Sequence, residues 1–148
     1  MSAIQTAIDN IRKQKANLID NLDADAMIIA FDLTALIKLR IQTTGIDFEG
    51  QAFIEYAPLT KRLRKEGGYQ IGYVDFTQTG RLWANVGPRI ETSEPGRVCV
   101  VIEGRDAYSK EIIIKQAAKR GNIVKSSASE TEFARMANEQ RLLKRLTL

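Results

Sequence analysis

Lys61, Arg62, Arg64 and Lys65 place four positive charges within five residues, and Tyr56, Tyr69, Tyr73 and Phe76 bracket them. Clustered lysine and arginine neutralise phosphate or carboxylate charge in a salt-sensitive way. The same four residues also suit the solvated face of a short helix. The flanking aromatics could stack on bases; in a glycine-rich segment they better suit anchoring to a protein surface.

Other groupings that could do chemistry are sparse. The chain has no histidine and one cysteine. That inventory excludes zinc sites built on Cys and His, the Ser-His-Asp triad and the Cys-His pair. Cys99, inside Arg97-Val-Cys-Val-Val-Ile102, reads as a small buried hydrophobe, and a single thiol suits a reducing compartment. Ser126, Ser127 and Ser129 have no histidine to activate them. Carboxylates that could pair for acid–base work or a metal are Asp23 with Asp25, Asp47 with Glu49, and Asp75. Each falls where a helix cap or a solvated loop explains it. Glu66-Gly-Gly-Tyr-Gln-Ile-Gly72 lacks the Lys-Ser/Thr ending and the following helix of a phosphate-binding loop. The expectation is a protein that is not an enzyme, with no catalytic, cofactor-binding or metal-binding residues.

The 148 residues suit one domain, 1–148, able to remove roughly 70% of its unfolded surface from water. A net charge of +4 with interspersed signs argues against a dedicated basic tail but permits phosphate contact. The N-terminus does not read as a secretory signal. The most apolar stretch, Ala26 to Ile41, contains Asp32, Lys38 and Arg40 and is too short and too charged to span a bilayer, so no membrane partner is expected.

The elements that would position these groups follow from periodicity and punctuation. Over residues 1–44 two helices are expected. In the first, Ser2 to Asn21 with Ser2 as cap, Ile4, Ile8, Ile11, Leu18 and Leu22 form one stripe, which could pack on its own domain or on a neighbour. In the second, Ala24 to Ile41 after Asp23, the face formed by Met27, Ile28, Phe31, Ala35, Leu36 and Leu39 is widened by Ile29, Leu33, Ile37 and Ile41. So broad an apolar surface needs cover on more than one side.

Residues 45–80 contain Gly45, Gly50, Gly67, Gly68, Gly72, Gly80 and Pro58. They predict a long extended arm with one short helix from Pro58 to Glu66. An irregular stretch of that length, rich in aromatics, is expected to order against a partner. Residues 81–148 hold the sheet and two further helices. Leu82–Ile90 and Arg97–Glu103 are the expected strands, with Glu91–Gly96 as hairpin loop and Trp83, Val98, Val100 and Ile102 inward. A helix from Ala107 to Arg120, capped by Asp106 or Ser109, stops at Gly121. Ile123 and Val124 could add a strand. A capping box of Ser129 with Glu132 then opens a last helix turning Phe133, Met136, Ala137, Gln140 and Leu143 to the protein. The fold class is α+β, a small, mostly antiparallel sheet packed by long helices.

The arm ends in Val74-Asp-Phe-Thr-Gln-Thr-Gly-Arg-Leu-Trp-Ala-Asn-Val86, where Thr77 to Gly80 make a polar turn. This stretch resembles the virion-morphogenesis, neck and tail-completion proteins of tailed bacteriophages, through the signature Thr79-Gly80-Arg81-Leu82. The segments TTGIDFEG (43–50), YAPLTKRLRKEGG (56–68) and YVDFTQTGRLW (73–83) are similar to phage proteins of this kind. A weaker likeness continues through Arg120-Gly-Asn-Ile123 and Ser127-Ala-Ser-Glu130. Many relatives carry Pro-x-Asp-Thr-Gly; here Asp75 is displaced and Gln78 stands in the Asp position.

The resemblance implies a structural virion protein at the head-to-tail joint, a neck, tail-completion or tail-terminator component assembled in the host cytoplasm. It further implies a homo-oligomeric ring, six-fold favoured and twelve-fold the other option, between connector and tail proteins around a DNA channel. On that reading the arm reaches a neighbouring subunit or ring, with Phe48, Phe53, Tyr56, Tyr69 and Phe76 as anchors and Thr79 and Gly80 fixing its exit. Lys61, Arg62, Arg64 and Lys65 then face DNA in the channel or an acidic partner, and cutting residues 48 to 76 to a linker leaves a folded monomer. The alternative is a small basic nucleic-acid-binding module.

Overall fold

A computed structural model describes residues 2–146. Among them the chain forms six helices and a two-stranded antiparallel sheet, in the order α1 (Ala3–Asp20), α2 (Leu22–Thr44), α3 (Pro58–Glu66), α4 (Arg81–Ala84), β1 (Val86–Glu94), β2 (Arg97–Gly104), α5 (Ala107–Arg120) and α6 (Ala128–Leu146).

The Ser2 hydroxyl caps α1 as expected, accepting from the Gln5 N–H at 3.2 Å. None of the residues of α1 is buried, and Ile4 and Ile11 are 73% and 65% exposed. The stripe therefore points away from the body. Asp23 does not cap α2, which starts one residue earlier at Leu22. Asn21 between the helices serves the first, its amide donating to the Asn17 carbonyl at 2.8 Å. Asp25 is more than a carboxylate of a helix cap or a solvated loop. It is buried, and Arg145 grips both of its oxygens at 2.7 and 2.9 Å.

α2 packs on both strands and on α6, but not through the expected face. Ala30, Thr34, Ile37 and Ile41 are buried, whereas Ile28, Phe31 and Leu39 are exposed. A helix apolar all round does not declare which side is inward. The choice falls to its partners: Arg40 pairs with Glu130 at 2.8 Å, Asp32 with Arg141 at 2.6 Å and Asp25 with Arg145 at 2.7 Å. These pairs run in opposite chain order and set α6 antiparallel to α2. They also rotate α6, burying Glu130 and Ala134 and leaving Phe133, Met136 and Leu143 exposed. That reverses the expected inward face of α6.

The α6 cap is shifted by two residues from the expected box. Ser127 Oγ accepts from the Glu130 N–H at 3.2 Å, and the Ser127 N–H donates to Glu130 Oε2 at 2.7 Å. Ser127-Ala-Ser-Glu130 is thus the reciprocal box. The Glu130 carboxylate also receives Arg40, so the cap doubles as a tie to α2.

The hairpin turns at Pro95-Gly96, with β1 extending to Glu94 and a register shift between Ile90 and Thr92. Leu82 to Ala84 are helical rather than strand. Ile123 and Val124 add no strand, and Ile123 is instead a fully buried plug. Its neighbours in the core are Ile37, Ile41, Phe53, Val74, Leu82, Trp83 and Val86.

Phe53 and Val74 belong to the arm, so residues 45–80 do not extend away from the body. Gly45 ends α2 with φ 65°, and a Cβ there would stand 2.7 Å from that of Tyr73. The arm is then fastened repeatedly. The Phe53 N–H donates to the Gly45 carbonyl at 3.1 Å, the Tyr73 hydroxyl to the Gln42 carbonyl at 2.8 Å, and Arg120 Nε to the Ile54 carbonyl at 3.0 Å. Val74 is 2% exposed. The arm is an intrinsic part of the core, which removes the expectation that it needs a partner to order it.

Candidate functional site

The arm closes against the body through one buried ion pair. α3 ends in Gly67, and a turn back brings Asp75 under the helix, where Arg64 Nη2 meets Asp75 Oδ1 at 2.9 Å. Arg64 also donates to the carbonyls of Gln70 at 3.1 Å and Thr77 at 2.6 Å. Its guanidinium carbon lies 4.5 Å from the Tyr56 ring centre and 5.5 Å from that of Tyr69. Asp75 accepts in addition from the Tyr56 hydroxyl at 3.1 Å and the Thr77 N–H at 2.9 Å, and its carbonyl accepts from Trp83 Nε1 at 2.8 Å. Burial first, then the Asp75 charge, push the Tyr56 hydroxyl pKa upward, so Tyr56 stays a donor to the carboxylate.

Two expectations are corrected here. Asp75 is not a solvated loop carboxylate, and Arg64, 5% exposed, is not available to DNA or to an acidic partner. The rest of the basic cluster is also largely matched. Lys61 pairs with Glu55 at 2.5 Å and Arg62 lies 3.7 Å from Glu66, while Lys65 is exposed. Phe53 is corrected as well. It is 6% exposed and packs edge-on with Phe76 at 5.1 Å, so it anchors the chain's own core. Phe76, with the left-handed φ of 54° that a bulky side chain resists, is pinned by its N–H donating to the Tyr56 hydroxyl and by its contact with Trp83.

Above this pair the fold leaves a groove of about 470 Å³ between α3 and α5. It gathers Tyr56, Tyr69, Phe76, Thr79 and Gly80, five of the seven expected interface residues. Gly80, at φ 76°, precedes α4, and Thr79 Oγ1 accepts from the Arg81 N–H at 3.4 Å. Phe48 lies elsewhere, under Lys125, whose Nζ is 3.8 Å from its ring centre. The opposite wall is α5. Arg120 lies 5.9 Å from both the Tyr56 and Phe76 rings, and Arg81 4.5 Å from Tyr108. Nothing in the primary sequence pointed to Tyr108, and Arg120 stood there only in the weaker likeness of residues 120–123; the return of α5 across the arm brings both in.

Among the described residues no carboxylate lines this groove. Arg81 is held by Asp106 at 3.0 Å, outside it. Hydrogen bonding from Ser109, whose N–H donates at 2.8 Å, and then Arg81 hold the Asp106 carboxyl down at about 2. Of the two Ser109 groups only the N–H has hydrogen-bond geometry. The groove offers cations, hydroxyls and aromatic edges. Among the described residues no group of three or more His, Cys, Asp or Glu is placed to hold a metal ion, and no helix is long and apolar enough to cross a membrane.

A second surface is the set of outward apolar side chains on the helices. On α1 these are Ile4, Ile8, Ile11 and Ile19, on α2 Ile28, Phe31 and Leu39, and on α6 Phe133, Met136 and Leu143. Comparison with protein-family models, curated proteins and solved structures finds no match to this chain.

Proposed function

We propose that this chain is a structural assembly protein that repeats as a ring, and that the ring is a component of a phage head-to-tail joint. The observation that carries the self-assembly is the outward apolar surface of α1, α2 and α6. At roughly 80 Å² for each half-exposed side chain, the ten present on the order of 800 Å² per copy; because a heterologous contact takes α1 from one copy and α2 with α6 from the next, each contact joins about 800 Å² of apolar surface in all, about half of a standard interface. The protruding ridge of α1 differs from the broad α2/α6 face. Docking the first on the second of a neighbour is a heterologous contact, which closes into rings or runs on into filaments.

The arm no longer supports this reading, since its aromatics are used within the chain. The assignment to a neck or tail-completion ring rests on the resemblance around Thr79-Gly80-Arg81-Leu82, and so do the connector and tail proteins as neighbours and the virion as location. The groove between α3 and α5 remains open to a segment of such a neighbour, through Tyr69, Thr79 and Gly80.

Light scattering on the purified protein at about 100 μM, with electron microscopy alone and mixed with connector and tail proteins, tests both levels. Closed oligomers are expected, reduced to monomers with an unchanged melting temperature by Ile8→Asp with Ile11→Asp. A wild-type chain that stays monomeric removes the self-assembly. Rings that bind neither connector nor tail remove the joint.

A further inference from the structure

Where α2 crosses the hairpin, cations accumulate without matching anions. Among the described residues Arg105, between β2 and α5, has no carboxylate partner. Its guanidinium rests on the backbone of Gly87, where a Cβ would stand 2.5–2.7 Å from its atoms, and lies 6.0 Å from the Phe31 ring of α2. Only glycine at position 87 leaves room for that seat. Lys38 of α2 is close enough to Arg105 to be repelled by it; burial first, and Arg105 second, push its pKa downward.

Arg89, Glu103 and Lys110 join Gly87, Pro88 and Arg105 around a depression of about 430 Å³. Glu103 is committed to Arg89 at 2.7 Å, with a weaker attraction to Lys110. Three cations, Arg89, Arg105 and Lys110, thus line the depression with one carboxylate that is already engaged, while outside the lining Lys38 feels Arg105 and Glu91 attracts Arg89. Two neighbouring unneutralised cations, one of them half-buried, are costly by themselves and favourable once an anion sits between them.

We infer that this depression is a phosphate site in which Arg105 supplies a fixed planar fork and Lys110 a rim contact, with Lys38 adding positive charge from beside Arg105. A tetrahedral oxyanion with more than one negative charge suits that combination. An acidic peptide suits it less, because glycine, proline and charged side chains form the walls and offer no apolar recess for neighbouring residues. The phosphate belongs either to a free phosphorylated small molecule or to a nucleic-acid backbone, and the site is independent of the assembly proposal.

The test uses the full chain and two probes. The first is inorganic phosphate against chloride at matched ionic strength, read by thermal unfolding. Phosphate is expected to raise the wild-type melting temperature and to leave Lys38→Gln with Arg105→Gln unmoved. Gly87→Ala, which keeps every charge but displaces the guanidinium, should also lose the shift relative to its own melt in chloride. The second probe is a labelled DNA duplex of about 20 base pairs, read by anisotropy across salt concentrations. If the source is a nucleic-acid backbone, the double variant binds about tenfold more weakly at low salt and its salt slope falls by about two, while Lys65→Gln scarcely changes either. A phosphate shift without any effect on the duplex assigns the site to a free phosphorylated molecule. The inference is overturned if phosphate shifts wild type and double variant alike, if neither probe distinguishes them, or if polyglutamate replaces phosphate as the stabilising anion.

Discussion

Replacing Arg64 by alanine separates a solvated basic helix from a buried clasp. The change leaves Asp75, itself 6% exposed, with only the Tyr56 hydroxyl and the Thr77 N–H, and strands the carbonyls of Gln70 and Thr77. Removing one partner of a buried ion pair costs about 3–5 kcal/mol, because the survivor remains charged and poorly solvated. That is a large part of the roughly 5–15 kcal/mol that holds a domain folded. For a chain of this size it lowers the melting temperature by roughly 6–20 °C. Urea titration followed by far-ultraviolet circular dichroism and by the fluorescence of Trp83 measures it directly, since Trp83 donates to the carbonyl of Asp75. Arg64→Lys should fall between, keeping the charge but losing the fork and the stacking on Tyr56 and Tyr69. A loss below about 1 kcal/mol for alanine is the range of an exposed pair, and would refute the clasp.

Further consequences follow for other positions. Replacing residues 48 to 76 by a short linker should abolish cooperative unfolding, because Phe53 and Val74 leave the core; a folded monomer by circular dichroism would restore the separable arm. Gly104→Ala sets a Cβ 2.6 Å from the Lys110 backbone nitrogen of α5, and overpacking of this kind should cost about 1–3 kcal/mol in the same titration. Ser127→Ala should cost about 0.5–2 kcal/mol as the loss of a cap, against a few tenths for Ser129→Ala; equal losses would put the cap register in error. Asp106, held at about 2 in the folded chain against an ordinary 3.8, contributes stability that is fully present above pH 4 and lost as pH falls towards 2. Asp106→Asn should therefore be less stable than wild type at pH 7 and lose less between pH 4 and pH 2, as chemical denaturation at a series of pH values would show.

The elements legible in the linear chain are those whose determinants are a few residues apart. Pro58 at the start of a basic run fixed α3, Asp106 and Gly121 bracketed α5, Ser2 capped α1, and Pro95-Gly96 turned the hairpin. In each, the cap, breaker or turn acts on backbone groups within one helical turn, so neighbouring residues suffice. The absence of histidine likewise bounded the available chemistry without any coordinates.

The tertiary structure alone decided which way those elements face. α2 is apolar on every side, and its rotation depends on partners 90 to 120 residues away, Glu130, Arg141 and Arg145. The same contacts turned Phe133, Met136 and Leu143 outward. The Arg64–Asp75 clasp converted a basic cluster and an apparently homeless arm into part of the core, because a charge pattern along a chain carries no record of which carboxylate folds beneath it. Gly87 shows the same limit: its lack of a side chain acquires meaning only when Arg105 comes to rest on it.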